Sequence, residues 1–312
     1  GDGLMSRVAT YGNYQSALLN LMSSQIRSAE AQQRVSTQKN ATDLTGFGRQ
    51  SETLTALKGS QSRIQGFIDT AEAVTARLTT QDLAMGQISD GISALREAIG
   101  SALATDSAGS LMLELEGQFQ TIRGGLNMRH QGGYLFAGAS TTTAPVEASN
   151  LNELSATAPA NVFRNDTLKA ASRVADGTTL ETGFLADELG AEVMSILRDL
   201  NDFHNTPGSG PLTGKTTEAQ KTFLIAQLSR LEQASTGVVD KMAKTGSLAK
   251  QVESITEGHI AQKTSLDQLL SDRTDADMAK AVTDLQLSQL AIQASAQVIS
   301  QLRDVSLLNY LR

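Results

Sequence analysis

The amino-acid sequence predicts a mainly α protein. The expected form is an elongated antiparallel long-helix bundle, a rod with terminal coiled-coil helices and a small β-containing insertion domain. Three observations carry that expectation. All four prolines lie between residues 145 and 211, apolar residues recur every seven positions along both flanks, and aromatics make up only 4% of the 312 residues.

Proline placement sets the organisation. With Pro145, Pro159, Pro207 and Pro211 confined to the middle, residues 1–144 and 212–312 can run as long helices without the lost N–H and ring clash that proline imposes. Between the flanks, Ser140 to Gly183 is rich in Thr, Ala, Asn and Ser, holds the β-prone run Asn161-Val162-Phe163, and carries the hairpin signal Asp176-Gly177. The chain accordingly divides into terminal helices at 5–45 and 272–312, a helical rod at 46–138 and 184–271, and an insertion at 139–183.

Periodicity supports the arms. Leu57, Ile64, Ala71, Leu78, Met85, Ile92 and Ile99 are spaced seven apart, and five of the seven positions three further on are non-polar (Phe67, Val74, Ile88, Leu95, Ala102). That is an a/d seam of coiled-coil type. A helix of about 50 residues spans about 75 Å. The distal arm repeats the pattern through Leu224, Leu231, Val238, Thr245, Val252, His259 and Leu266. An apolar stripe of this length requires a partner, and the simplest is the other arm, folded back antiparallel.

The chain ends carry more apolar surface than one pairing covers. Leu18, Met22 and Ile26 recur at helical spacing near the start. Met278, Leu285, Ile292 and Ile299 are seven apart near the end, and Leu287, Ala291, Ala294, Val298, Leu302 and Val305 form a second line on the same helix. A helix with two stripes expects more than one neighbour. The residues expected to form an intersubunit interface are therefore Leu18, Met22, Ile26, Met278, Leu285, Ile292, Ile299, Leu302, Leu308 and Leu311.

Composition narrows the function classes. The formal charge of -7, with no basic run, does not suit phosphate neutralisation, so no nucleic-acid partner is expected. The absence of Cys leaves no disulfide, thiolate metal site or Cys nucleophile. The start lacks a basic and apolar leader, and Met5 reads as the natural first residue after a cloning remnant. No stretch has the length and apolarity of a membrane span, and the polar faces of the ends lack the Lys/Arg enrichment of surface-binding helices. No membrane partner is expected.

Several motifs have a sharper reading that their context weakens. In Gly208-Ser209-Gly210-Pro211-Leu212-Thr213-Gly214-Lys215-Thr216, a phosphate-binding loop would need Gly where Ser209 stands and a strand before it. The segment follows the helical run Val193 to Phe203 instead, so a connecting loop with Thr216 or Thr217 near a helix N-cap is expected. His130, His204 and His259 are not spaced as a metal pair, and His259 sits on the seam as a packed histidine. Asp275 and Asp277 fit the positive end of a following helix. Tyr134 and Phe136 fit a hairpin packed on the rod. No nucleophile-base-acid set or ligand cluster is present, so neither an enzyme nor a cofactor is expected.

The two ends, in order, resemble the flagellin family. Val35-Ser36-Thr37-Gln38-Lys39-Asn40 followed by Asp43 is similar to the segment that ends the family's first helix. Ser271-Asp272-Arg273-Thr274-Asp275-Ala276-Asp277-Met278-Ala279 is similar to the acidic stretch that opens its last helix. Gln293-Ala294-Ser295 and the close Ser306-Leu307-Leu308-Asn309-Tyr310-Leu311-Arg312 also match. The turn Gly132-Gly133-Tyr134-Leu135-Phe136-Ala137-Gly138 and the ending Leu307 to Leu311 resemble the family's hook-filament junction branch. The final Arg312 after a Leu resembles the filament branch, and the paired aspartates and proline that the junction branch carries after its first helix are reduced here to Asp43.

The resemblance implies a non-enzymatic structural subunit of the bacterial flagellum. It would be exported without a cleaved signal peptide, reside outside the cell, and join hook to filament by self-assembly through inner-tube helices. It further implies ends that order only on assembly. The implied partners are further copies in a ring or helical array, the hook, neighbouring hook-associated or flagellin subunits, and an export chaperone. Growth of a filament from this chain alone is the alternative, and a coiled-coil scaffold outside the flagellum a remote one.

Overall fold

The repeat beginning at Leu57 lies in a single helix, α2 (Ser51–Ala104), and the distal repeat lies in another, α6 (Glu218–Thr274). The computed structural model describes residues 2–310, with side chains for 11–304. It divides into two units, one of the residues up to 63 and from 262 onward, the other of residues 64–261.

In the 64–261 unit Ile64 is half-buried, and from Ala71 onward the seam reading holds. Ala71, Leu78, Met85, Ile92 and Ile99 are buried on α2, as are Leu224, Leu231, Val238, Thr245, Val252 and His259 on α6. Thr245 reaches the Met85 sulfur and Arg96 pairs with Glu232, a register in which one number rises as the other falls. The arms are antiparallel, the simplest arrangement expected from the sequence.

Absence of proline does not keep the first flank helical throughout. After Ala104 the chain breaks at residues 105–110 and doubles back as α3 (Leu111–Leu126). Asp106 turns the corner in the left-handed region at φ 57, which an aspartate tolerates better than most residues. Its carbonyl accepts from the Thr216 amide at 3.1 Å and its carboxylate binds Thr216 and Lys221. Two glycines let α3 lie close on α2: a Cβ at Gly91 would come within 2.5 Å of Ile122, and one at Gly125 within 2.9 Å of the Ala84 carbonyl.

Two short hairpins follow. Strands β1 (Arg129–His130) and β2 (Gly133–Tyr134) are antiparallel about the left-handed Gln131 and Gly132, and Phe136 just beyond is fully buried. A short helix, α4 (Leu151–Ala156), begins where the Asn150 side chain accepts from the Glu153 amide. Strands β3 (Ala171–Ala175) and β4 (Thr178–Glu181) pair across Asp176-Gly177, the turn expected from sequence. Val174 and Leu180 pack on Ala71, Val74, Leu78 and Val252. His259 stacks on Phe67 and its Nε2 lies 2.7 Å from the Val174 carbonyl, so it is a packing residue that seats the hairpin.

Helix α5 (Ala186–Asn205) buries Leu189, Val193, Met194, Ile196, Leu197 and Leu200. The loop after it meets the α2–α3 corner, with Ser107 and Lys215 bridged, and is a connector as expected. It ends at Thr217, whose hydroxyl accepts from the Gln220 amide while the Gln220 side chain accepts from the Thr217 amide. This reciprocal capping satisfies two N–H groups at the start of α6.

In the other unit, α1 (Asp2–Thr37) and α7 (Met278–Tyr310) pack along each other. They run antiparallel, since Arg34 pairs with Asp284 while Lys39 lies beside Asp275.

Candidate assembly surface on the terminal helices

The fully buried positions of the seam between α1 and α7 are small side chains, with half-buried Leu285, Ile292 and Ile299 beside them on α7. Among the described side chains, the buried residues on α1 are Ala17, Ser24 and Ala31, seven apart, and on α7 they are Ala281 and Ser288, also seven apart. Small residues at heptad spacing let two helix backbones approach closely. The buried Ser288 hydroxyl is satisfied within its own helix by the Leu285 carbonyl at 2.9 Å.

A second set of large apolar residues stays outside. On α1, Tyr11, Leu18, Leu19, Met22 and Ile26 are exposed. At about 100° per residue they fall on the face opposite Ala17, Ser24 and Ala31. On α7, Val282, Leu287, Leu290 and Val298 are exposed, away from Ala281 and Ser288. Full burial of each such side chain is worth about 1.5–3 kcal/mol, so the pair leaves much apolar surface in water.

The residues expected at an interface divide between the two faces. Leu18, Met22 and Ile26 lie on the exposed face of α1. Leu285, Ile292, Ile299 and Leu302 are half-buried, and the turn of the helix places them on the side of α7 that carries Ala281 and Ser288. Met278 opens α7 with 36% exposure. The backbone of Leu308 belongs to α7, and Leu311 lies outside the described residues.

A clamp closes one end of the pair. The Asn40 amide donates to the Thr274 carbonyl at 2.7 Å and the Ala276 amide to the Gln38 carbonyl at 3.0 Å. Lys39 forms an ion pair with Asp275, which also accepts from the Ser271 hydroxyl. Lys39 first, then Ser271, holds the Asp275 carboxyl below its ordinary range. Asp275 is therefore occupied by the clamp, and Asp277 alone caps α7, accepting from the Lys280 amide at 3.0 Å. Beside the clamp is a cleft of about 530 Å³ lined by Lys39, Asp43, Lys58, Gln61, Asp267 and Thr274 among others.

The sequence reading missed both the small-residue seam and the clamp. The signal for the seam was the spacing of Ala17, Ser24 and Ala31, hidden because attention to large apolar residues finds the opposite face. Among the described residues, no helix is long and apolar enough to cross a membrane.

Comparison with known proteins places this architecture. Residues 228–311 match the bacterial flagellin C-terminal helical region. The C-terminal arm is thereby similar to that of flagellins, a likeness that covers this arm and not the rest of the chain. The chain's fold is that of solved hook-associated proteins. A protein of Vibrio parahaemolyticus assigned as flagellar hook-associated superposes with a TM-score of 0.62 at 19% identity, covering 74% of this chain and 100% of that one. Xanthomonas campestris FlgL gives 0.56 at 15% identity, covering 69% and 99%. Bacillus cereus FlgL gives 0.53 at 15% identity, covering 70% and 98%. No curated protein sequence matches the chain.

Proposed function

We propose that this chain is a non-enzymatic structural subunit of the bacterial flagellar axis, acting outside the cell. In this reading it joins hook to filament by assembling through α1 and α7. The observation that carries the proposal is the two-faced construction of the terminal pair. Buried small residues and half-buried Leu285, Ile292 and Ile299 make the contact of α1 with α7, and the exposed stripe through Leu18, Met22 and Ile26, with Leu287, Leu290 and Val298, is left for other subunits. The flagellin-family C-terminal region and the fold shared with hook-associated proteins support a flagellar role. The partners are further copies of the chain, the hook and neighbouring axial subunits, with a chaperone holding the ends before export. A filament-forming subunit is the second reading, favoured by the match to the flagellin region itself.

The purified full chain, offered hook ends and short filament fragments and viewed by electron microscopy, separates the two. Binding at hook ends without elongation supports the junction role, whereas long filaments from this chain alone overturn it. Removing either terminal helix abolishes both behaviours if the ends carry assembly. Residues near 5–40 and 275–312 should be cut by protease in the free subunit and protected once assembled, because only intersubunit burial offsets the entropy of ordering them. Equal protection of the ends and the rod in the free subunit counts against ordering on assembly.

A further inference from the structure

We propose that Met22 makes assembly sensitive to oxidation: converting its thioether to the sulfoxide with a hydroperoxide blocks incorporation of the subunit. The inference rests on the assembly reading above, and it adds a modification site to that surface.

The distribution of methionines carries the argument. Of the eight in the chain, Met85 and Met194 are buried and Met112, Met128 and Met242 are half-buried against the core of the 64–261 unit. Among the described side chains the two exposed methionines are Met22 at 53% and Met278 at 36%, both on the terminal helices. Met22 sits at the middle of the exposed stripe of α1, between Leu18 one turn before and Ile26 one turn after, with Leu19 beside it. A flexible, polarisable thioether suits a surface that must adapt to a neighbour. The same exposure opens the sulfur to peroxide.

The chemistry balances with hydrogen peroxide as oxidant. A sulfur lone pair attacks one peroxide oxygen, an S–O bond forms and the O–O bond breaks. The proton on the transferred oxygen passes to the leaving hydroxide, which departs as water. Sulfur loses two electrons and the peroxide gains them. The product sulfoxide is polar. Its oxygen is an acceptor in the centre of a stripe whose burial excludes water, and nothing apolar across an interface can satisfy it. Oxidised subunits are rejected, and in an assembled subunit whose stripe is covered the sulfur is shielded from the reagent.

The test uses the full chain treated with hydrogen peroxide, peptide mass spectrometry to locate each added oxygen, and sedimentation with electron microscopy to read assembly. The expected result is that Met22 and Met278 gain oxygen before Met85 and Met194, and that pelletable assemblies are lost in step with oxidation of Met22. Methionine sulfoxide reductase should restore them. Met22→Leu, compared with its own untreated sample, should lose its sensitivity to peroxide. Full assembly of protein oxidised at Met22, or equal peroxide sensitivity in Met22→Leu, overturns this inference alone. Failure of untreated protein to assemble overturns the assembly reading and this inference with it.

Discussion

Lys39 and Asp275 meet twice, through an antiparallel backbone bridge and through a side-chain ion pair. The chain leaves α1 at one residue and approaches α7 at the other, so this contact ties two breaks in the helical path together. Both side chains are about half exposed, 48% and 40%, so the ion pair itself is worth about 0.2–1 kcal/mol. Because Lys39 and Ser271 depress the Asp275 carboxyl, the contribution is complete above the unfolded carboxyl value of about 4. It is lost as pH falls through the lower folded value. Asp275→Asn should therefore weaken the clamp at neutral pH, read as faster amide exchange at Asn40 and Ala276, whose N–H groups cross the junction. Unchanged exchange would leave the backbone bonds as the whole of the clamp.

The rod core should answer to cavity formation and not to surface truncation. Ile92 is fully buried in the α2 seam, while Leu83 on the same helix is 66% exposed. Ile92→Ala should cost about 2–5 kcal/mol. Leu83→Ala should change stability by about 0.5 kcal/mol or less. Denaturant unfolding of the two variants checks the contrast, and equal losses would contradict the assigned seam.

These cases show what could be read from sequence. The α2 and α6 seams were legible because each large apolar residue at heptad spacing is also a buried one, from Ala71 to Ile99 and Leu224 to His259. The Asp176-Gly177 turn was legible because its chemistry is local: Gly177 takes φ 71. The corner at 105–110 was not, since no proline marks it and the groups that hold Asp106 come from Thr216 and Lys221, more than a hundred residues away. The same distance in sequence hid the partnership of Lys39 with Asp275. At the candidate surface, Leu18, Met22 and Ile26 announced an apolar face, but which of two faces α1 turns toward α7 depends on backbone approach, which small residues decide silently.

The start of α6 depends on one reciprocal pair. Thr217→Ala removes the hydroxyl that accepts from the Gln220 amide at 3.2 Å and leaves that N–H unsatisfied. A loss of about 0.5–2 kcal/mol is expected, with increased exchange confined to the first turn of α6. Thr217→Ser retains the acceptor and should recover most of the loss in thermal unfolding. Equal losses in the two variants would mean that the methyl group and not the cap is what matters.

The seam of small residues makes the strongest demand on side-chain size. Ala31 has no exposed surface, so Ala31→Leu must force α1 and α7 apart or distort one of them, at a cost of about 1–3 kcal/mol. Ser23→Leu adds an isobutyl group at an exposed position of the same helix, where nothing opposes it. The first variant should lose assembly, and the second, once assembled, should keep amide protection along residues 17–31 and 281–295. Neither should move the thermal transition of the 64–261 unit, which contains none of these residues. If the two substitutions behave alike, helix propensity or added hydrophobicity governs the terminal pair, and close approach of the two backbones through Ala17, Ser24, Ala31, Ala281 and Ser288 does not.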